Sequence, residues 1–177
     1  PSPDIEIISH IATKKNWAER NEVVLPLVSP SVEQLIEENK TNSCSLGIVK
    51  VAAELKFSIQ QDTPDWTDKQ KAILSRVNLF GQAHSPLDKV PWKFFYSFKC
   101  CDDLCSGHKM QIWDWEIYQL YRNQLAKKRS VDAALEDVRR KYDENFALHR
   151  KNLHLFLGTH RAHPHRFMIV GVYYPPL

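Results

Sequence analysis

The apolar positions of the chain change their spacing several times, and each change marks a predicted element. Alternation of polar and apolar residues indicates a strand, whereas apolar residues three and four apart indicate one face of a helix. The strand pattern, or a β-branched run, occurs at residues 4–8, 46–59, 92–100, 109–113, 153–157 and 167–173. The segment 46–59 is long enough for one or two strands, and in 92–100 Phe94, Tyr96 and Phe98 share a face opposite Phe95.

Helical spacing occurs in four segments, and a recognisable start signal precedes two of them. Ser31 with Gln34 three residues later is a capping-box pattern that begins a helix running to Asn39. Residues 67–79, 117–125 and 131–146 also have helical spacing, and Ser130 is the N-cap of the last. Residues 17–28 lack such spacing and contain Pro26, so we expect them to be irregular. We expect the acidic face of the first helix to be solvated surface: Glu33, Glu37 and Glu38.

Together these elements predict an α+β fold. We expect an antiparallel sheet or partial barrel with three to four packed helices, forming a single domain over residues 1–177. Residues 92–100 and 109–113 would form one hairpin, and a loop of residues 158–166 would close a second. With 43% hydrophobic residues, 177 residues can bury one substantial core. Because it begins at Pro1 rather than Met, the sequence is compatible with a piece of a longer protein.

Cysteine usage and hydropathy bear on the compartment. No apolar stretch reaches the roughly 20 residues that span a bilayer, so no membrane segment is predicted. Three of the four cysteines, Cys100, Cys101 and Cys105, fall within six residues. Such clustering favours a metal site over a framework of disulfides. We therefore expect a reducing intracellular compartment, cytoplasmic or nuclear.

The cysteine cluster has the chemistry of a zinc site. Cys101, Cys105 and His108 lie within eight residues at a hairpin tip, and tetrahedral zinc accepts sulfur and nitrogen ligands. Cys100 is an alternative to Cys101, because adjacent residues on a strand face opposite sides. The fourth ligand could come from Cys100, Cys44, His160, His163 or His165. The ligand set that we predict for a structural zinc is Cys101, Cys105, His108 and His160. The competing interpretation is that the thiols are simply buried and His108 is hydrogen-bonded to the backbone.

Two acidic residues directly after the cluster suggest catalysis. If the strand continued through Asp114 and Glu116, both carboxylates would face one side and, with His108, could bind a divalent ion and activate water. These three residues are the candidate catalytic set of a metal-dependent nuclease or phosphodiesterase. Alternatively, Asp114 is a helix N-cap and Glu116 complements the positive end of that helix. The motifs of nucleotide-binding loops, serine hydrolases and zincins are missing from the sequence.

Charge is distributed unevenly along the chain. Residues 1–68 have six Lys/Arg against eleven Asp/Glu, whereas residues 69–177 have eighteen against ten. The net positive charge of residues 69–177 is suited to binding phosphate groups. Residues 139–166 contain seven Lys/Arg and five of the eight histidines, so we expect much of the positive field to originate in this segment.

We therefore expect a nucleic-acid-binding module, for DNA or RNA, that is supported by structural zinc. Arginine and lysine would contact phosphates, and an exposed indole would stack on a base. The predicted contact residues are Arg161, Arg166, His163, Lys151 and Trp113. Two alternatives remain open: the nuclease described above, and a protein-interaction domain that binds an acidic partner.

Overall fold

Seven strands form one open, mixed sheet in the computed structural model, which describes residues 10–12, 14–42, 44–74 and 88–177. In chain order the strands are β1 Val28–Ser29, β2 Leu46–Lys50, β3 Ala53–Gln61, β4 Trp92–Lys99, β5 His108–Ile112, β6 His154–His160 and β7 His163–Tyr173. Their order across the sheet is β1-β2-β6-β7-β5-β4-β3. The strand predicted at residues 4–8 lies outside the described residues, as do residues 75–79 of a predicted helix.

Five α-helices occur in the described part of the chain, one more than the upper limit of the prediction. They are α1 Lys14–Val24, α2 Val32–Asn42, α3 Asp68–Leu74, α4 Trp115–Lys128 and α5 Val131–Arg139, and a π-helical segment, Arg140–Asn145, continues α5. The predicted caps are confirmed, because Ser31 Oγ accepts the Gln34 N–H at 3.0 Å and Ser130 Oγ accepts the Ala133 N–H at 3.3 Å.

The helix α1 corrects the prediction that residues 17–28 are irregular. Its apolar residues do not repeat at helical spacing, so periodicity could not reveal it. Pro26 lies beyond its end, in the 3-10 turn Leu25–Leu27, where the missing N–H of proline costs little. No helix in the described part of the chain combines the length with the apolar surface that crossing a bilayer requires.

The sheet is mixed rather than antiparallel. β1 pairs in parallel with β2, and α2 connects the two strands along the chain. β5 pairs in parallel with β7, where Ile112 lies beside Ile169. The other four neighbouring pairs are antiparallel. β1 and β3 are the two edges and are not paired with each other, so the sheet does not close into the expected partial barrel. Hydrophobic spacing identifies a strand but carries no information about a partner that is distant in the chain.

An aromatic core lies between the sheet and the helices α4 and α5. As predicted, Phe94, Tyr96 and Phe98 of β4 are buried. The ring of Tyr142, from the π-helical segment, lies 5.8 Å from that of Phe57 in β3, and the Tyr96 hydroxyl donates to the Tyr142 carbonyl at 2.5 Å. These contacts fix the β4–β5 hairpin, and with it the turn that contains the cysteines.

The hairpin of β6 and β7 is longer than predicted. The expected nine-residue loop shrinks to a turn at Arg161 and Ala162, because β6 extends to His160 and β7 begins at His163. The register shifts next to Thr159, which leaves residues 164–166 in a bulge. A proline is compatible with a bulge because its nitrogen has no ladder hydrogen bond to donate there.

His154 is a buried histidine that should make stability depend on pH. It is 2% exposed, and burial lowers the pKa of its imidazole below the ordinary value of 6.5. The folded state therefore protonates His154 only at a lower pH than the unfolded chain, which protonates it as the pH falls below 6.5. We expect the free energy of unfolding to decrease below that pH, by up to about 1.4 kcal/mol per pH unit.

Urea unfolding at a series of pH values measures this effect. His154→Gln should flatten the acid side of the profile, because glutamine cannot take up the proton. His149→Gln is the matched control, since His149 is exposed and its replacement should leave the slope unchanged. Equal slopes for His154→Gln and the parent would contradict the prediction.

Candidate metal centre and nucleic-acid surface

The turn between β4 and β5, residues 100–107, folds two cysteines towards a histidine. The Leu104 N–H donates to Asp102 Oδ1 at 2.9 Å, and the Cys105 N–H donates to the Asp102 carbonyl at 3.0 Å. Gly107 has a φ of 99°, a left-handed value that glycine adopts without steric cost. These local constraints return Cys105 to the side of His108, the first residue of β5.

Four side chains meet at this turn, and their ligand atoms all lie within 4.8 Å of one another: Glu33, Cys100, Cys105 and His108. His108 Nε2 is 3.2 Å from Cys105 Sγ, 3.6 Å from Cys100 Sγ and 3.3 Å from Glu33 Oε1. Cys100 Sγ is 3.5 Å from Glu33 Oε2. We call these four residues the cysteine cluster. In the described part of the chain it is the one group of three or more such side chains with metal-binding proximity.

The spacing of the cysteine cluster fits a tetrahedral zinc ion. Zinc bonds of about 2.0–2.3 Å at tetrahedral angles separate neighbouring ligand atoms by about 3.3–3.8 Å. The distances from His108 Nε2 to Cys105 Sγ, Cys100 Sγ and Glu33 Oε1 are 3.2–3.6 Å and fall close to this range. The other pairs of ligand atoms in the cluster lie within 4.8 Å of each other. Two sulfurs, one imidazole nitrogen and one carboxylate oxygen are all zinc ligands, and their number equals the coordination number of a closed structural site.

The environment of the cluster is asymmetric. Cys100 and Cys105 are buried, and the His108 side chain is 12% exposed, whereas the Glu33 side chain is 47% exposed. Burial raises the pKa of the Cys100 thiol, while the backbone N–H groups of Val32 and Asp102 oppose that rise. N–H groups that approach a sulfur stabilise its thiolate, the form that binds metals. The sulfur side of the cluster is therefore buried, and Glu33 forms the side that is exposed to solvent.

Two of the four predicted zinc ligands, Cys105 and His108, are in the cysteine cluster, and the other two lie elsewhere. Cys101 is exposed, and its place is taken by Cys100, which is consistent with neighbouring residues facing opposite sides of an extended chain. His160 lies at the end of β6, where its Nδ1 accepts the Ala162 N–H at 3.1 Å. Cys44, an alternative fourth ligand, donates its thiol hydrogen to the Leu46 carbonyl.

Glu33 is the cluster residue that sequence analysis missed. It stands on the polar face of α2, and its spacing does not distinguish it from Glu37 and Glu38 on the same helix. It reaches the cluster because α2 packs on the sheet, where the buried Leu35 lies next to Gly47 of β2 and the N–H of the buried Val32 approaches the Cys100 thiol. The sequence around Glu33 therefore gives no indication that this residue belongs to the cysteine cluster.

The candidate catalytic residues have separate partners. His108 is in the cysteine cluster, whereas Asp114 is the N-cap of α4 and accepts the Glu116 N–H at 2.9 Å. Burial raises the pKa of the Asp114 carboxyl. Glu116 is exposed, and its Oε2 lies 3.9 Å from Lys141 Nζ. The structure therefore does not bring these three side chains to a common metal, and Asp114 has the capping role that was the alternative interpretation.

Most of the predicted nucleic-acid contacts lie at one end of the sheet. Arg161, His163 and Arg166 are exposed at the closed end of the β6–β7 hairpin, which we call the basic hairpin. Trp113, directly after β5, is 49% exposed, and its ring lies 5.9 Å from that of His160. An exposed aromatic ring therefore adjoins the basic hairpin.

Lys151 lies apart from this group. It forms an isolated bridge with Pro176. That bridge is near the open end of the hairpin, where His154 pairs with Tyr173, whereas the basic residues are at the other end, where His160 pairs with His163. Lys151 and the basic hairpin therefore do not form one patch.

Comparisons with known proteins identify the family of this chain, but they provide no relative with a known activity. A search of curated proteins and a search of solved structures each found no match to the chain. The scan of family models matched residues 28–177, which include both candidate sites and all seven strands of the described residues. On this match the chain belongs to the family described as Domain of unknown function (DUF8757).

Proposed function

We propose that this domain binds nucleic acid through the basic hairpin and Trp113, and that a structural zinc ion in the cysteine cluster supports the binding surface. The observation that carries the proposal is that the exposed indole of Trp113 lies beside His160. His160 directly precedes the exposed Arg161, and the exposed Arg166 lies in the bulge of the same hairpin. Guanidinium groups bind phosphates, and an indole stacks on an unpaired base. Either DNA or RNA satisfies this chemistry.

The zinc ion would be bound by Glu33, Cys100, Cys105 and His108. The distances among their ligand atoms support this set, and the buried thiols support a structural role, in which the metal joins the β4–β5 turn to α2. When bound, zinc would supply cohesion between two elements that are distant in the sequence. It would not need to take part in a reaction.

The helix α2 connects the two candidate sites. Glu33 stands in its first turn, and Asn39 stands two turns further along. Asn39 Nδ2 donates to the Pro164 carbonyl at 3.0 Å, and Asn39 Oδ1 lies 2.7 Å from His165 Nδ1. Both contacts hold the bulge of the basic hairpin. An ion that fixes the start of α2 would therefore also help to fix the hairpin.

Salt-dependent binding tests the proposal. We expect labelled DNA or RNA to bind the parent protein, with log affinity falling linearly against log salt. Replacing both arginines, Arg161→Ala with Arg166→Ala, should make that slope shallower by about two units on duplex DNA, one for each phosphate that is no longer neutralised. Fluorescence anisotropy between about 50 and 200 mM salt measures both quantities.

The matched control removes two positive charges from the other end of the hairpin: Arg150→Ala with Lys151→Ala. Its slope should stay near that of the parent if position matters, and should match the arginine variant if only net charge matters. An unchanged slope for the arginine variant would move the interface elsewhere. A parent that binds neither DNA nor RNA at low salt overturns the proposal and favours an acidic protein partner.

We also propose a reducing compartment, cytoplasmic or nuclear, for this domain. All four cysteines are free thiols, and two of them face each other in the cysteine cluster. Thiols stay reduced and available to zinc in such a compartment.

A further inference from the structure

Four of the five tryptophans of the chain line one cavity of about 550 Å³. We call it the tryptophan cavity, and its indoles are Trp66, Trp92, Trp113 and Trp115. It lies where the end of β3, the start of β4, the end of β5 and the first turns of α4 meet. The volume is within the range of about 300–1,000 Å³ that is usual for small-ligand sites.

Two indoles of the cavity are far more exposed to solvent than aromatic side chains in a protein core. Trp113 is 49% and Trp115 is 60% exposed, so much of the free energy that burial would provide is not gained in the free protein. Polar neighbours contact two of the four indoles. Trp92 Nε1 donates to the Tyr121 hydroxyl at 3.1 Å, and the Arg122 guanidinium lies 5.7 Å from the centre of the Trp115 ring. Exposed aromatic faces are suited to a flat ligand.

The charges around the cavity favour an anionic ligand. The carboxylate of Asp62 forms ion pairs with Lys89 and Lys93, and the distance from carboxylate oxygen to Nζ is 3.0 Å in each. Burial alone would raise the pKa of Asp62, but the hydrogen bonds from Lys93 and Lys89 lower it to about 2, so the carboxylate is ionised and already neutralised. Together with Arg122 the lining has three cationic side chains against this one carboxylate. A cationic ligand, such as a methylated amine, would meet a surplus of positive charge.

Arg122 is an incompletely satisfied donor in the lining. Its Nη2 donates to the Asp88 carbonyl at 3.0 Å, whereas its Nε and Nη1 are buried and have no hydrogen-bond partner in the part of the chain that the structure describes. A buried charged donor without an acceptor is costly. A small adjustment of the guanidinium towards a phosphate or carbonyl oxygen of a ligand would supply the missing acceptor.

The cavity is continuous with the basic hairpin. Trp113 lines the cavity, and its ring also contacts His160, the residue before Arg161. A strand whose phosphates lie along the basic hairpin would therefore pass over Trp113 at the entrance of the cavity. Aromatic walls, surplus positive charge and this continuity occur together in sites for unstacked nucleotides.

We propose that the tryptophan cavity binds one unstacked base of a single-stranded nucleic acid, with the adjoining phosphate at Lys93 and Arg122. This inference rests on the proposed function and narrows it, because a base within a duplex cannot enter the cavity without leaving its partner. The domain then prefers single strands, and the basic hairpin supplies the part of the affinity that single strands and duplexes share.

The test compares a mixed-sequence single strand with its own duplex, as DNA and as RNA, by anisotropy and by quenching of tryptophan fluorescence. We expect tighter binding and stronger quenching for the single strand. Trp115→Ala should weaken single-strand binding roughly 5- to 150-fold, the range for removing one base–aromatic stack, and should change duplex binding less than about twofold. Trp115→Phe keeps an aromatic face and should recover most of the loss.

The exposure of Trp115 makes a folding defect a poor explanation for such a loss, and an unchanged melting temperature and zinc content would verify this. Equal affinity for single strand and duplex, together with parent-like binding by Trp115→Ala, overturns the inference and leaves the proposed function intact. No binding to either form overturns both. Quenching by an uncharged oligosaccharide such as maltohexaose, and not by the oligonucleotide, overturns the inference in favour of a sugar.

Discussion

Cys105→Ser is expected to abolish zinc retention and to lower the melting temperature, whereas Cys101→Ser leaves both unchanged. Cys105 Sγ lies 3.2 Å from His108 Nε2 inside the cysteine cluster, and Cys101 is exposed. A metal present at a thousandfold its dissociation constant contributes about 4 kcal/mol to folding. For a chain of this length that corresponds to a loss of roughly 8–16 °C. Elemental analysis and thermal unfolding measure the two effects, with about one zinc per chain expected in the parent.

Cys101→Ser is a close control because it makes the same chemical change four residues away in the same turn. A third variant, Cys100→Ser, should behave like Cys105→Ser and so discriminate between the two adjacent thiols. If the parent binds no zinc, even after reduction and reconstitution, the metal centre is refuted. If Cys101→Ser loses the metal and Cys100→Ser keeps it, the ligand set is refuted although the ion remains.

Tyr142→Ala is expected to reduce the free energy of unfolding by about 3–5 kcal/mol, the range for truncating a buried aromatic side chain. Tyr142 is 1% exposed, and its ring lies between those of Phe57, Tyr96 and Phe146 at centroid distances of 5.8, 6.3 and 5.1 Å. Burial raises the pKa of its hydroxyl. The loss would leave a cavity between the π-helical segment and the sheet.

Urea denaturation measures this loss, and Tyr142→Phe is the matched control. Phenylalanine keeps the ring, and the backbone carbonyl that accepts the Tyr96 hydroxyl is present in both variants. The control should therefore retain most of the stability. A loss below about 1 kcal/mol for Tyr142→Ala would contradict the packing, because truncation of a core aromatic ring costs more than that.

A zinc ion bound in the cysteine cluster and the aromatic core would stabilise different parts of the β4–β5 hairpin. Tyr142 holds β4 from the side of the helices, whereas the cysteine cluster holds the turn after β4 against α2. Loss of zinc should therefore loosen the turn and the start of α2 while the sheet remains folded. Loss of the Tyr142 ring should destabilise the whole sheet, since β4 lies within it.

Local chemistry was sufficient to predict several elements of this protein. Ser31 and Ser130 cap helices because their hydroxyls reach N–H groups three residues away. The alternation of Phe94, Tyr96 and Phe98 identified a buried strand face, and the strands on either side of the cysteines identified the β4–β5 hairpin. Each of these features depends on residues that are close together in the sequence, so its physical cause is visible there.

The remaining features depend on packing between distant segments. The parallel pairing of β5 with β7, the approach of Glu33 to the cysteine cluster and the position of His160 beside Trp113 each join parts of the chain that are far apart in sequence. Which of the two adjacent thiols, Cys100 or Cys101, joins the cluster also depends on such packing, because only Cys100 lies on the side of the chain that faces α2. Residue type limits which side chains can bind zinc or a phosphate, but burial of the common core determines which of them meet, and spacing along the chain does not encode that packing.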